Sequence, residues 1–515
     1  MIAATCVVVV ILGSLIAVIL RAETGAGAGY LGASDWSAIR FTVVQAVLSA
    51  VISVVCAVPV ARALARRRFW GRSVLMTLMG APFILPVIVA ILGLLAVFGR
   101  GGVLNAALGW LGLPAVQIYG LHGVVLAHVF FNLPLAVRFI LQGWQGIPAE
   151  RFRLAAQLGF SSGDIWRLLE RPMLMRQLPG AFAVIFALCL SSFAGALTLG
   201  GGPKATTVEL AIYQAFRFDF DLARAAVLAC VQIALAGGAA LVALGLSGQG
   251  GFGSGMDHVV RRWDAVRAWQ VGLDAALIAV VVVFLMVPLG MVVLRGLAGM
   301  AEMSASVWGT VLQATVVSIK VAFASTLTML ALALPIVIAA ATARPWLEAV
   351  GILGIAVSPL VIGTGLFLVI HPLANPVDFA LPVTALVNAL MALPFAVRVM
   401  TPAARDVVRD YGQLSASLDM TGLNWLRLVL LPRVRAPLGF SAGLTAALSM
   451  GDLGVIALFA DPERATLPLQ MYRLMGSYQM GAAAGAGLIL LLLSLAAFRL
   501  CDWIGEERAQ HADAG

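Results

Sequence analysis

The sequence predicts an all-α polytopic membrane protein with about twelve transmembrane helices. Of its 515 residues, 62% are hydrophobic and only 11% are charged, whereas about 25% of the residues of a soluble protein are charged. The mean hydropathy is +1.02. Apolar stretches of about 20 residues, the length that crosses a bilayer as a helix, recur throughout the chain. A soluble fold is therefore excluded.

The predicted spans form two sets of six. The first set lies near 2–20, 41–64, 74–98, 121–142, 180–199 and 225–246. The second set lies near 271–295, 315–341, 347–371, 380–402, 436–459 and 482–500. Arginines cluster in the loops that follow spans 2, 4 and 10, and the alternate loops hold few basic residues. Because cytoplasmic loops of membrane proteins collect basic residues, both termini are predicted to be cytoplasmic.

The composition also excludes several classes of function. The net charge of +9 is explained by the arginine-rich loops, and no basic soluble domain is present to bind nucleic acid. The five cysteines have no paired spacing, so neither a zinc site nor a disulfide framework is predicted. No metal and no cofactor is expected to bind to this chain. The only lysines, Lys204 and Lys320, do not follow a phosphate-binding glycine loop. The chain is therefore predicted not to hydrolyse ATP and not to be an enzyme.

An internal repeat divides the chain. The sequence LPLAVR at 133–138 recurs as LPFAVR at 393–398, and Leu158, Arg167 and Pro172 recur in the same register as Leu418, Arg427 and Pro432. Two tandem halves are predicted, 1–260 and 261–515, each with six spans. Because each half has an even number of spans, the repeats lie parallel in the membrane, with a pathway expected between them.

Each half contains a long cytoplasmic loop between its fourth and fifth spans, at 143–179 and 403–435. In the first loop, Gly159 and Gly163 divide an amphipathic segment whose second helix carries Ile165 and Trp166 on one face. Such a helix needs lipid headgroups or a cytoplasmic protein to pack against. One copy in each half favours a protein partner with two equivalent binding sites.

The first loop, LAAQLGFSSGDIWRLLERP at 154–172, resembles the EAA loop of ABC importer permeases, whose short helix docks into a cleft on the ATPase subunit. The resemblance implies that Ala155, Gly159, Ile165, Trp166 and Pro172 belong to an ATPase-coupling loop. In the second half it implies the same of Asp419, Gly422, Trp425 and Pro432. Asp419 occupies the glycine position there, so either it adopts the turn or Gly422, three residues later, supplies it.

Further stretches resemble the single-chain permease family of bacterial thiamine ABC importers. They include LTLGGGPKATTVELAIYQ at 197–214, GDLGVIALF at 451–459 and TLPLQMYRLMGSY at 466–478. The resemblance implies a type I ABC importer permease fold in the bacterial inner membrane. It also implies two copies of a cytoplasmic ABC ATPase that use ATP and Mg²⁺, and a periplasmic thiamine-binding protein. The cargo would be thiamine, with its phosphates left open.

Two alternatives remain at this point. Fused iron(III) ABC permeases share the duplicated architecture. A secondary transporter with 6+6 topology also fits the span count, but the long loops of such carriers usually lie between the halves, whereas here they lie within each half.

The candidate substrate pathway rests on Ser192, Phe193 and Asp452. Asp452 is an ionisable residue within a predicted span, and such residues are costly and often functional. Ser192 is its counterpart in the first half. A carboxylate would attract the positive thiazolium ring of thiamine, and Phe193 could offer a cation–π face. The alternative is that Asp452 is solvated near the mouth or hydrogen-bonded to Ser449 within its own helix.

Overall fold

The computed structural model describes residues 1–24, 31–80, 84–246, 262–264, 267–459 and 465–512. Within these ranges all regular secondary structure is helical. The predicted boundary between the halves, at 260/261, lies outside the described residues.

Within the described residues, the predicted first half contains twelve α-helices. They are α1 (Ile2–Thr24), α2 (Ala33–Arg66), α3 (Arg72–Leu78), α4 (Val87–Phe98), α5 (Val103–Trp110), α6 (Leu121–Gln145), α7 (Ala149–Gln157), α8 (Ser162–Ile165), α9 (Arg171–Leu190), α10 (Ala194–Leu199), α11 (Val208–Arg217) and α12 (Leu222–Leu246). A π-helical turn, Trp166–Glu170, joins α8 to α9, and a 3₁₀ turn, Pro203–Ala205, precedes α11.

The predicted second half has a related order, with eleven α-helices within the described ranges and one helix, α17, at the positions of α6 and α7. Its helices are α13 (Ala268–Glu302), α14 (Ala305–Thr342), α15 (Leu347–Ile352), α16 (Pro359–Ile370), α17 (Ala380–Ser417), α18 (Gly422–Trp425), α19 (Leu431–Arg433), α20 (Arg435–Gly451), α21 (Gly454–Phe459), α22 (Leu467–Gly476) and α23 (Met480–Ala512). The π-helical turn recurs at Leu426–Leu430, and 3₁₀ turns lie at Leu353–Ala356 and Pro376–Phe379.

Eleven helical segments in the described part of the chain are long and apolar enough to cross a membrane. The all-helical, multi-span prediction is therefore confirmed. The predicted span at 347–371 differs, because α15 ends at Ile352 and α16, which begins at Pro359, has only 12 residues. Pro359 causes this break, since the residue before a proline disfavours helical geometry and Ser358 is extended.

Three other predicted spans are interrupted as well. The span at 74–98 is divided into α3 and α4, with Pro86 preceding α4. The spans at 180–199 and 436–459 break after Leu190 and after Gly451, and α10 and α21 continue them. The last two breaks occur at equivalent positions of the two halves, and they contain the candidate pathway residues.

The first helix of each half packs against the other half. Helix α1 lies on α16, and α13 lies on α4. Glycine makes both approaches possible: Gly365 of α16 meets the backbone at Ser14, and Gly93 of α4 meets the backbone at Pro288, with no room for a side chain at either position. The contacts of α1 with α16 and of α13 with α4 therefore hold the two sets of helices together.

Candidate functional site

The first of the two long loops, at 143–179, has the turn that its glycine predicts. After α7, Gly159 adopts a φ of +69°. The N–H of Gly159 donates to the carbonyl of Ala156 at 3.1 Å, and the N–H of Phe160 donates to the carbonyl of Ala155 at 3.0 Å. This pair of bonds is a Schellman ending, which satisfies the last carbonyls of the helix. Ser161 then caps α8 by accepting the N–H of Asp164.

The second loop has the same backbone without the glycine. Asp419 adopts a φ of +49°, its N–H donates to the carbonyl of Ala416 at 3.2 Å, and the N–H of Met420 donates to that of Ser415 at 2.9 Å. Aspartate is among the few non-glycine residues that tolerate this conformation. Asp419 therefore forms the turn itself, and Gly422, with a φ of +58°, adds a second left-handed residue where α18 begins.

Both loops present leucine side chains to the outside at matching positions. The pair Leu158 and Leu418 is 62% exposed in each loop. The other exposed pairs are Leu154 with Leu414 and Leu168 with Leu428. We call these six residues the leucine pairs. An apolar surface that is repeated at matching positions is typical of a binding surface rather than of scattered apolar side chains.

The other candidate coupling residues lie beneath or beside the leucine pairs. Ala155 and Ile165 are buried, so they hold the loop onto the spans. Trp166 and Trp425 are partly buried. Pro172 is the second residue of α9 and Pro432 the second residue of α19, and each follows directly on a π-helical turn.

A buried ion network anchors the first loop. Glu170 is fully buried and lies 2.7 Å from Arg62, 3.7 Å from Arg66 and 2.8 Å from Arg262. The indole N–H of Trp144 also donates to its carboxylate, at 3.2 Å. Glu170 was not singled out from the sequence, where it is one of three acidic residues in a loop that also holds five arginines.

The same network ties the loop to the segment at 262–264. Arg262 lies 2.7 Å from Asp264, and the hydroxyl of Ser162 donates to the backbone carbonyl of Asp264 at 2.8 Å. Burial favours the neutral acid, but the paired Arg262 outweighs it and holds the pKa of Asp264 below its usual range. Leu430 occupies the position of Glu170 in the second half, so the second loop lacks an equivalent carboxylate.

The two helix breaks bring Phe193 and Asp452 together. A Cβ on Gly454 would lie 3.7 Å from Cδ1 of Phe193 and 3.8 Å from Oδ1 of Asp452. Both residues thus lie close to Gly454, although they come from distant parts of the chain. Ser192 makes a different contact: its hydroxyl forms a 2.6 Å hydrogen bond with Nε2 of His128.

Asp452 terminates α20 instead of lying within a continuous helix. Its Oδ1 accepts the N–H of Gly454 at 3.2 Å, and its Oδ2 is buried without a hydrogen-bond partner in the described part of the chain. The hydroxyl of Ser449 bonds Ser325 and Asn388. The alternative of a side-chain bond between Ser449 and Asp452 is therefore not observed.

Matched polar contacts surround both breaks. His128 bonds Ser49 in the first half, and its counterpart Asn388 bonds Ser449 in the second. At a neighbouring level, the N–H of Val208 donates to Thr42, and the N–H of Leu467 donates to Ser318, both at 2.8 Å. The sequence analysis missed this polar layer because serine and threonine are common in transmembrane helices.

Comparison with known proteins identifies the family. No protein-family model matches the sequence. The chain is 38% identical over 514 residues to the thiamine transport system permease protein ThiP of Brucella abortus, covering 97% of this chain and 93% of that protein. It is 39% identical to ThiP of Salmonella typhimurium, covering 97% and 95%. The chain belongs to the thiamine transport system permease family. The predicted resemblance is confirmed, and this permease is a multi-pass protein of the bacterial inner membrane and not an enzyme.

A more distant relative bears on the internal repeat. The molybdenum transport system permease protein ModB of Mycobacterium bovis is 33% identical over 217 residues, covering 79% of that protein but only 41% of this chain. Most of a ModB chain therefore corresponds to less than half of this permease. The sequence left three kinds of transporter open: a thiamine permease, an iron(III) permease and a secondary transporter. The comparisons identify the first of these.

Proposed function

We propose that this permease is the membrane subunit of an ABC importer that carries thiamine from the periplasm to the cytoplasm. The observation that supports this most strongly is its similarity to thiamine transport permeases along 97% of the chain. In this proposal, a periplasmic binding protein delivers thiamine. Two copies of a cytoplasmic ATPase, which bind ATP and Mg²⁺, drive the transport. Both termini are cytoplasmic, as the arginine distribution indicates.

The two cytoplasmic loops would bind one ATPase subunit each. Their matching turns and leucine pairs would give two identical subunits the same surface to bind. Burying these exposed leucines in a cleft would stabilise the complex, at about 25 cal/mol per Å² of apolar surface removed from water. Ala155, Ile165, Trp166 and Trp425 would keep each helix in place on the spans.

The helical path from each loop to each break offers a mechanism for coupling. In the first half, helical turns run without interruption from Ser162 through the π-turn to Leu190. A displacement of the loop by the ATPase would therefore move the break at 191–193. In the second half, the corresponding path from Gly422 to Gly451 is helical except for the single residue Val434. The two breaks would thus move together when the ATPase dimer closes.

The substrate pathway would pass between the halves at Phe193 and Asp452. The carboxylate of Asp452 would attract the positive thiazolium ring, and the ring of Phe193 would offer a π face. Ser192 would act indirectly, because its hydroxyl is bonded to His128.

Reconstitution tests the proposal. We would place this permease in proteoliposomes with its ATPase and a thiamine-binding protein, and measure thiamine-stimulated ATP hydrolysis and thiamine uptake. We expect both in the wild type, and the loss of both in a variant that combines Leu158→Asp with Leu418→Asp. The matched control is Leu373→Asp, an exposed leucine outside the cytoplasmic loops that is 82% exposed, and we expect it to behave as the wild type.

Two results would contradict the proposal. If ATP hydrolysis were stimulated by ferric iron and its binding protein, and not by thiamine, thiamine would not be the substrate. Uptake driven by a proton gradient without any ATPase would overturn the ABC mechanism.

A further inference from the structure

Arg262, in the connection between the two predicted halves, is a buried charge that the proposed function does not use. Connections between helices usually run over the surface, where an arginine is solvated. The side chain of Arg262 is instead 3% exposed. Its Nε and Nη2 donate to the carboxylate of Asp264 at 2.7 and 2.8 Å, and its Nη1 donates to that of Glu170 at 2.8 Å. Because all three nitrogens make charge-assisted bonds, Arg262 fixes this part of the connection in place.

The segment at 262–264 is held by several parts of the first loop, at 143–179. The guanidinium carbon of Arg262 lies 4.8 Å from the centre of the Phe152 ring on α7. The hydroxyl of Ser162, at the start of α8, donates to the backbone carbonyl of Asp264 at 2.8 Å. Glu170 ends the π-helical turn that follows α8. Three consecutive helical elements of the loop therefore contact the connection, so a displacement of the loop displaces the connection as well.

The same segment is close to the start of α13. Helix α13 begins at Ala268, four residues after Asp264, and four residues span at most about 14 Å when fully extended. A second contact holds the start of this helix. The Nε of Arg67, which follows the last residue of α2, lies 2.8 Å from the carboxylate of Asp274 on α13, and the side chain of Asp274 is 8% exposed. Helix α13 is thus attached to the first loop through the chain and to α2 through a largely buried ion pair.

Helix α13 leads to the break that contains Asp452. It packs closely against α23, because Gly299 meets the backbone at Gly481 with no room for a side chain. Helix α23 packs in the same way against α20, where Gly443 meets the backbone at Phe498. Helix α20 ends where Asp452 begins the break. Close contacts therefore lead from the first loop, through α13 and α23, to the break in the predicted second half.

We propose that Arg262 and Asp274 are positioning residues for transport, which tie the first loop and α2 to α13. This inference rests on the proposed function, because the ATPase supplies the displacement that the contacts transmit. In the proposed function, each loop moves the break of its own half. With the connection fixed in place, a displacement of the first loop also moves α13, and the break at Asp452 moves with it. Buried ion pairs suit this role because their geometry is discrete.

The experiment measures how much thiamine is imported for each ATP that is hydrolysed. The complete complex of permease, ATPase and thiamine-binding protein is placed in proteoliposomes, and Arg262→Met is compared with the wild type. We expect the ratio of imported thiamine to hydrolysed ATP to fall about 2- to 10-fold, a range typical of residues that carry coupling between sites. A merely structural contact would lower the amount of active complex. Both rates would then fall equally, and the ratio would not change.

Further variants separate the connection from the loop itself. Arg62→Met removes an arginine that lies 2.7 Å from the same carboxylate of Glu170 but belongs to α2, so it should keep the wild-type ratio. Asp274→Asn breaks the second attachment of α13 and should lower the ratio. Exchanging the two charges, Arg67→Asp with Asp274→Arg, should restore it. Glu302→Gln, at the exposed other end of α13, is the matched control for Asp274→Asn and should keep the wild-type ratio.

The outcomes distinguish this inference from the proposed function. A wild-type ratio in Arg262→Met would overturn the inference and leave the proposed function standing. An equal fall of the ratio in Arg62→Met and Arg262→Met would also overturn it, because the effect would then come from the charge on Glu170 and not from the connection. If Arg262→Met does not assemble, a wild-type ratio in Asp274→Asn overturns the inference in its place. A wild-type complex that does not import thiamine would overturn both.

Discussion

Replacing Glu170 with glutamine is expected to weaken the attachment of the first cytoplasmic loop. Its carboxylate lies 2.7 Å from Arg62, 3.7 Å from Arg66 and 2.8 Å from Arg262. The variant keeps the size of the side chain and can still accept a hydrogen bond from Trp144. What it removes is the negative charge that the three guanidinium groups share.

The expected loss in the free energy of unfolding follows from how deeply each charged partner is buried. The side chain of Glu170 is 0% exposed, those of Arg262 and Arg66 are 3% and 6% exposed, and that of Arg62 is 27% exposed. Breaking a buried ion pair by removing one partner costs about 3–5 kcal/mol. Arg262 retains Asp264, and Arg62 is partly screened by solvent. We therefore expect the lower end of this range, about 3 kcal/mol, arising mainly from Arg66.

The assay measures the midpoint of unfolding of the purified permease in detergent. Glu170→Gln should lower the midpoint clearly, whereas Glu150→Gln, on the exposed side of α7 in the same loop, should not. Adding Arg66→Met to Glu170→Gln should recover part of the loss, because it removes the charge left without a partner. A midpoint for Glu170→Gln within experimental error of the wild type would refute the reasoning.

Two further predictions concern the backbone. Asp419→Gly should stabilise the second loop by up to about 1 kcal/mol, because glycine adopts the φ of +49° without strain, while Gly159→Ala should destabilise the first by about 1–2 kcal/mol. Hydrogen exchange of the two loops would measure both, and equal protection in all variants would contradict the turn assignment. Gly93→Ala should cost about 1–3 kcal/mol because its methyl group would lie 2.6 Å from the carbonyl oxygen of Pro288. Gly290→Ala on α13, where nothing lies within 4 Å, is the control, and an equal unfolding midpoint for the two variants would show that α4 and α13 are less closely packed.

Much of the fold could be predicted because hydropathy and repetition are properties of local sequence. Long apolar runs predicted the spans, and the recurrence of LPLAVR as LPFAVR predicted matched halves. Gly159 predicted a turn between two helices. The sequence did not decide whether Asp419 or Gly422 forms the turn in the second loop. Aspartate has only a weak preference for a positive φ, so the surrounding structure determines whether it adopts one.

The helix breaks and buried acids could not be predicted in this way. Hydropathy does not report whether an apolar run is one helix or two, so the breaks after Leu190 and Gly451 were missed. The environment of Glu170 depends on Arg62, 108 residues earlier in the chain, and that of Glu209 depends on Ser358, 149 residues later. Sequence alone gives no distance between such residues. Asp452 was found only because an acid stands out within an apolar run.

The two cytoplasmic loops show which parts of a duplicated permease are free to diverge. Glu170 fixes the first loop through buried ion pairs, whereas Leu430 at the same position is buried among apolar side chains. In the second loop, the guanidinium of Arg433 lies 3.8 Å above the ring of Tyr411. The buried contacts that attach the two loops therefore differ, whereas the leucine pairs and the turns are the same in both loops. If two identical ATPase subunits bind the loops, only the outer surfaces must match, because the partner contacts nothing beneath them. Exchanging Glu170 and Leu430 between the halves should therefore be harmful, because leucine would leave the buried arginines without their carboxylate and glutamate would be buried among apolar side chains.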